Sequence, residues 1–112
     1  MGDSKQSLVW QKVSALVERL NDLSEVLNDD EDFGLLNQIK ESSGALSDHI
    51  AESAESIDTE TVKFFYEKAL TVSYELETEL VVLGDLEIIS PASIVPLLNE
   101  LLAVQDLLKK QL

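Results

Sequence analysis

The chain has no cysteine and a single histidine, and only 8 of its 112 residues are lysine or arginine. The missing cysteines exclude a disulfide framework and any thiolate metal site. No apolar run approaches the ~18 residues needed to cross a bilayer. The opening MGDSKQSLVW shows no apolar leader core or cleavage pattern, so the default expectation is a cytoplasmic protein without membrane association. The sequence also lacks a glycine-rich phosphate loop and a serine nucleophile elbow. With no catalytic constellation in view, the expectation is a non-enzyme that needs no cofactor.

Against 8 basic residues stand 22 acidic ones, for a net charge of −14. Nucleic acid is bound non-specifically through Lys and Arg that displace counterions from phosphate, and anionic membranes attract the same sign of charge. Both are disfavoured partners. High charge can also mean disorder, but 45% apolar residues at regular helical spacing argue against it. A chain of this length can bury roughly two-thirds of its unfolded surface, enough for one core, and residues 1–112 are read as a single domain.

The most strongly patterned stretch is Phe33–Ser53. Leu36, Ile39, Ser43, Leu46 and Ile50 recur at 3-4-3-4 spacing, which puts them on one face of a helix over about 32–54. A second seam runs beside it through Leu35, Gln38, Ser42, Ala45, His49 and Glu52. Its small middle would let another helix approach closely. Gly44 in the same helix costs about 1 kcal/mol relative to Ala, as often happens where backbones come close.

Three further helices follow from the pattern. The first, about 7–28, has Ser7 as a cap and a stripe of Val9, Val13, Leu16, Leu20, Leu23 and Leu27, widened by Trp10 and Val17. The third, about 60–83, is capped by Asp58 or Thr59. It carries Val62, Phe65, Ala69, Val72, Leu76, Leu80 and Leu83, with Phe64, Tyr66, Leu70, Tyr74 and Val81 elsewhere on the cylinder. Gly84 is the expected left-handed residue that closes it. The fourth ends near 111 and starts after either Ser90, with Pro91 in the first turn, or Ser93, which leaves Pro96 harmless at the third position. The second start is preferred, giving about 93–111. Leu97, Leu101, Val104 and Leu108 form one stripe of that helix, and Ile94, Leu98, Leu102, Gln105 and Leu112 form another.

The run NDDEDFG at 28–34 invites comparison with a calcium loop. Counted from Asp29, Gly34 falls correctly, but Phe33 and Lys40 occupy ligand positions and defeat the match. The reading is a solvated turn. His49 with Glu52 reverses the Glu-x-x-His order of di-iron bundles, and no second histidine exists, so no metal site is expected. Glu75 and Glu79 share a helix face, where Glu ordinarily meets solvent.

Four helices joined by short loops predict an all-α, antiparallel up-down-up-down four-helix bundle. It carries more leucine than one core can use. An unusually large exposed apolar patch marks an interface, so the bundle is expected to be oligomeric, in a closed ring rather than an open filament. Leu35, Ser42, Ala45, His49, Leu98 and Leu102 are the candidate interface residues.

Three motifs occur in order at matching separations. Val9-Trp10-Gln11-Lys12-Val13 stands near the start. Phe33-Gly34-Leu35, Gln38-Ile39 and Ile50-Ala51-Glu52 follow in one register. Phe65, Ala69-Leu70, Glu75-Leu76-Glu77-Thr78 and Leu80 make the third. Together they resemble, over nearly the whole chain, the bacterial four-helix-bundle family whose founding members are encoded by intervening sequences in 23S ribosomal RNA genes. The resemblance implies a four-helix subunit and a homopentamer. It also relates the fold to the accessory protein of diversity-generating retroelements, a basic pentamer that works with a reverse transcriptase and nucleic acid. Where the family has paired arginines this chain has Lys40 and Glu41, and His49 replaces an asparagine, so a nucleic-acid or reverse-transcriptase partner is the alternative, not the leading, expectation. Glu52 and Glu75 fall on family-matching positions. Together with Gln38 they are the candidate buried polar residues. The leading expectation is an assembly or scaffold module whose principal partner is itself.

Overall fold

The computed structural model of the chain describes residues 3–26 and 33–112. These form four helices, α1 (Asp3–Val26), α2 (Phe33–Glu55), α3 (Thr59–Asp85) and α4 (Pro91–Lys110), and no strand. The 28–34 run and Leu27 fall at least partly outside the described residues, so the structure does not bear on the calcium-loop comparison. At 27 residues α3 is the longest helix. A helix of that length is about 40 Å long at 1.5 Å per residue, close to the 45 Å long dimension of the molecule.

Each helix touches two neighbours: α1 meets α2 and α4, and α3 meets α2 and α4. Between them lies a core of Val9, Val13, Leu16 and Leu20 from α1, Leu36, Ile39, Leu46 and Ile50 from α2, and the inner faces of α3 and α4. The apolar stripes of α1 and α2 are therefore the ones their periodicity predicts. In α3 the core face is rotated. Tyr66, Ala69, Ser73, Leu76, Leu80 and Leu83 are buried, whereas Val62, Phe65 and Val72 are only half-buried at its edge. A helix wedged between two neighbours turns toward both, and the stripe of largest hydrophobicity need not bisect them.

Several ends differ from expectation. Ser7 lies inside α1, four residues past its start, so it is not the cap. Helix α4 begins at Ser90 in an extended conformation with Pro91 as its first residue, not at Ser93. Proline needs no amide there. Pro96 consequently sits inside the helix. Ala92, whose carbonyl has no amide partner at Pro96, is exposed to water. Asp58 occupies the cap position of α3, and its carboxylate accepts a hydrogen bond from the Thr61 hydroxyl at 2.9 Å.

Gly84 stays helical, and the left-handed residue is Glu87, with φ 57°. The Ile88 amide donates to the Leu83 carbonyl at 3.2 Å and the Glu87 amide to that of Gly84 at 3.0 Å. This is the paired closure that places a left-handed residue just past a helix end. What Gly84 provides instead is proximity. A Cβ there would meet Ile94 Cγ1 at 3.4 Å, so α3 and α4 come close at their shared turn.

Candidate oligomer interface

Leu70, Tyr74, Glu77 and Val81 follow one another at 3–4 residue spacing along one side of α3. Val95, Leu98, Leu102 and Gln105 do the same on α4. Gln105 Nε2 donates to Glu77 Oε1 at 2.8 Å and to the Ser73 carbonyl at 3.5 Å. That joins the two rows edge to edge. Gln105 itself is 3% exposed; it anchors the inner margin of the face. Outside it, Tyr74 is 45% exposed, Val81 40%, Val95 52% and Leu102 45%. Leu70 and Leu98 are half-buried between them and the core. Side chains left about half in water forgo roughly half of the ~1.5–3 kcal/mol that full burial is worth. Phe64 is exposed as well, but Lys68 Nζ lies 4.9 Å from its ring centre and covers it from within the chain.

The candidate interface residues therefore divide. Leu98 and Leu102 lie on this α3–α4 face. Leu35, Ser42, Ala45 and His49 belong to the seam that α2 presents to α3. Ser42 is buried there within the chain, next to Glu79. The His49 ring stacks on Phe65 with centroids 6.5 Å apart. The helix that approaches the small middle of this seam is α3 of the same chain. Gly44 is not the point of approach, because a Cβ at Gly44 would meet nothing within 4 Å.

The candidate buried polar residues are corrected. Gln38, Glu52 and Glu75 are all exposed. The buried polar side chains are Ser42, Ser43, Ser53, Ser73 and Gln105. Three of the serines return their hydroxyls to their own helix: Ser43 to the Ile39 carbonyl at 2.8 Å, Ser53 to Ile50 at 2.6 Å and Ser73 to Leu70 at 2.6 Å. A short hydroxyl that bonds its own backbone can sit in an apolar core without a distant partner. Glu52 and Glu75 have no such local partner and turn outward.

Two atoms on the α2–α3 seam are buried without a hydrogen-bond partner among the described residues, His49 Nδ1 and Glu79 Oε1. Burial pushes the Glu79 carboxyl above the ordinary range. The Ser42 hydroxyl opposes this, and the charges of Glu75 and Glu41 add to it. Burial likewise raises the Tyr66 phenol, partly offset by Ser53. On the other side of the bundle Arg19 of α1 pairs with Glu100 of α4. No three His, Asp or Glu side chains among the described residues gather closely enough to hold a metal, and no described helix is long and apolar enough to cross a membrane.

The model of the 23S rRNA-intervening sequence protein family matches residues 5–110. The chain belongs to that family. A crystal structure of a protein of unknown function from the S23 ribosomal protein family of Bacteroides thetaiotaomicron superposes with a TM-score of 0.87 at 21% identity, over 95% of this chain and 96% of the other. At that identity the likeness shows the fold, and the all-helical four-helix architecture is common to both. No curated protein matches. The description of the 23S rRNA-intervening sequence protein family names no enzymatic reaction.

Proposed function

We propose that this protein is a non-enzymatic, cytoplasmic assembly or scaffold module, an up-down-up-down bundle that functions as a homopentamer. The exposed apolar face on α3 and α4 carries the reading: Tyr74, Val81, Val95 and Leu102 stand together in water in the isolated chain. Contiguous apolar surface of this kind belongs to interfaces. Self-association must overcome repulsion between copies that each carry −14, and buried apolar area is the available driving force.

The distribution of cations speaks against a nucleic-acid partner. Lys63 and Lys68 are interleaved with Glu60 and Glu67 on α3, Lys40 adjoins Glu41, and Asp106 precedes Lys109 and Lys110. Such alternation gives phosphate no continuous basic track on α2, α3 or α4, and on α1 Arg19 is already paired with Glu100.

Sedimentation velocity at physiological salt tests the proposal. The expected species has five times the 12.4 kDa subunit mass. A folded particle of 12.4 kDa refutes it. Binding of RNA or DNA that weakens steeply with salt would favour the nucleic-acid partner instead.

A further inference from the structure

The α3–α4 face has a counterpart on the opposite side of the molecule. Helices α1 and α3 do not touch, nor do α2 and α4, so the α1–α2 side lies across the bundle from the α3–α4 side. Trp10, Val17 and Asn21 run along one edge of it on α1; Lys40, Gly44, Ser47 and Ala51 run along the other on α2. A surface cleft of about 490 Å³ lined by Asn21, Ser24, Glu25 and Lys40 joins the two rows. Trp10 is 44% exposed, and Gly44, Ser47 and Ala51 leave the α2 edge low and half-buried.

From these observations, and resting on the proposed self-association, we infer that the occupant of the α3–α4 face is the α1–α2 face of a second copy. Shape supports it: one face is raised by Tyr74, Val81, Val95 and Leu102, and the other is flat between Trp10 and Lys40. Height along the bundle sets which residues would meet. Ser42 lies beside Glu79 and Ser53 beside Tyr66, so residue numbers on α2 and α3 run in opposite senses and Ser47 is level with Tyr74. Two copies side by side in the same orientation set Tyr74 of one against the flat stretch around Ser47 of the other.

Charge agrees at one end. Lys63 and Lys109 edge the α3–α4 face at the height of Asp48 and Glu55 on α2. At the other end Glu77 and Asp85 lie toward the cleft that carries both Lys40 and Glu25, where the charges offset. Complementary charge of this kind fixes the register of a contact. A two-fold pairing of α3–α4 faces would leave Trp10 and the α1–α2 face uncovered in every copy. A head-to-tail contact that closes into a ring covers both faces in every subunit.

Because the chain has no cysteine, engineered thiols are the only ones present. Full-length Tyr74→Cys/Ser47→Cys, treated with a short bismaleimide, is expected to give a covalent ladder beyond the dimer. Tyr74→Cys alone and Ser47→Cys alone should give none. Leu102→Cys/Gly44→Cys provides a second pair at the same height. Sedimentation of each reduced variant shows whether the assembly is intact. An oligomer in which Tyr74→Cys alone links to dimers, or in which neither double variant links, overturns the pairing and leaves the self-association standing. A monomer in the unmodified protein overturns both.

Discussion

Gln105 on α4 reaches across to α3, where its amide donates to the Glu77 carboxylate at 2.8 Å. It is the buried polar side chain of α4, and the bond ties the two helices that carry the apolar face. Losing it removes a charge-assisted hydrogen bond and leaves a small void. Gln105→Ala should therefore destabilise the fold by about 2 kcal/mol. Gln105→Glu should cost more than Gln105→Ala, because it sets a second carboxylate against Glu77. Urea titration followed by helical circular dichroism measures both, and an unchanged midpoint for Gln105→Glu would show that the bond is not formed.

The sequence announces such a residue indirectly. Ile94, Leu98, Leu101, Gln105 and Leu108 step along α4 at 3–4 spacing, and a lone glutamine in that row has to be buried or to end the apolar face. Gln38, Glu52 and Glu75 look similar in one dimension, yet all three are exposed. Periodicity tells which residues share a side of a helix, not where neighbouring helices stand around it. For α1 and α2 the stripe was broad enough to find the core unaided: Val9, Val13, Leu16 and Leu20, then Leu36, Ile39, Leu46 and Ile50. For α3 the buried Tyr66 and Ser73 are displaced from the most hydrophobic stripe because α2 and α4 flank the helix unequally. The four helices were legible, and so was the exposure of Leu102, whereas Leu98 is half-buried against the core. Which helix fills the Ser42–Ala45 seam was not legible, since close approach by α3 and by another subunit leave the same trace in sequence.

Helix α3 closes on a residue poorly suited to the task. Glu87 holds φ at 57°, a conformation that costs a residue with a Cβ roughly 1–2 kcal/mol. Glycine adopts it freely but loses more backbone entropy on folding. Glu87→Gly should stabilise the protein by about 1 kcal/mol, and it removes a negative charge from the C-terminal end of the helix, which acts in the same direction. Thermal unfolding monitored at 222 nm reads the change. A lower midpoint would mean that Glu87 makes a compensating contact.

Glu79 links stability to pH. Burial raises its carboxyl above the ordinary range, against the Ser42 hydroxyl and with the charges of Glu75 and Glu41. The folded state thus binds this proton more tightly than the unfolded chain does. Its contribution is fully present below the unfolded pKa and is lost as pH rises through the raised folded value. At neutral pH the buried carboxylate is a liability. Glu79→Gln keeps the shape and removes the charge, so it should unfold at higher urea than the parent at pH 7, and the difference should shrink toward pH 4. A difference that stays constant across that range would assign the effect to packing.

Leu101 and Leu102 are neighbours in sequence with opposite duties. Leu101 is fully buried and Leu102 is 45% exposed in the chain. Leu101→Ala opens a cavity in the core and should cost about 2–5 kcal/mol at any protein concentration. Leu102→Glu removes no core contact, so the subunit should keep its helical spectrum. It puts a charge in the middle of the apolar face, which must then be desolvated for copies to associate. Since association stabilises only the folded form, the parent's unfolding midpoint should climb with concentration, and Leu102→Glu should flatten that climb while lowering the sedimenting mass. If Leu102→Glu instead sediments like the parent and shows the same concentration dependence, the apolar row on α3 and α4 is not what joins the subunits.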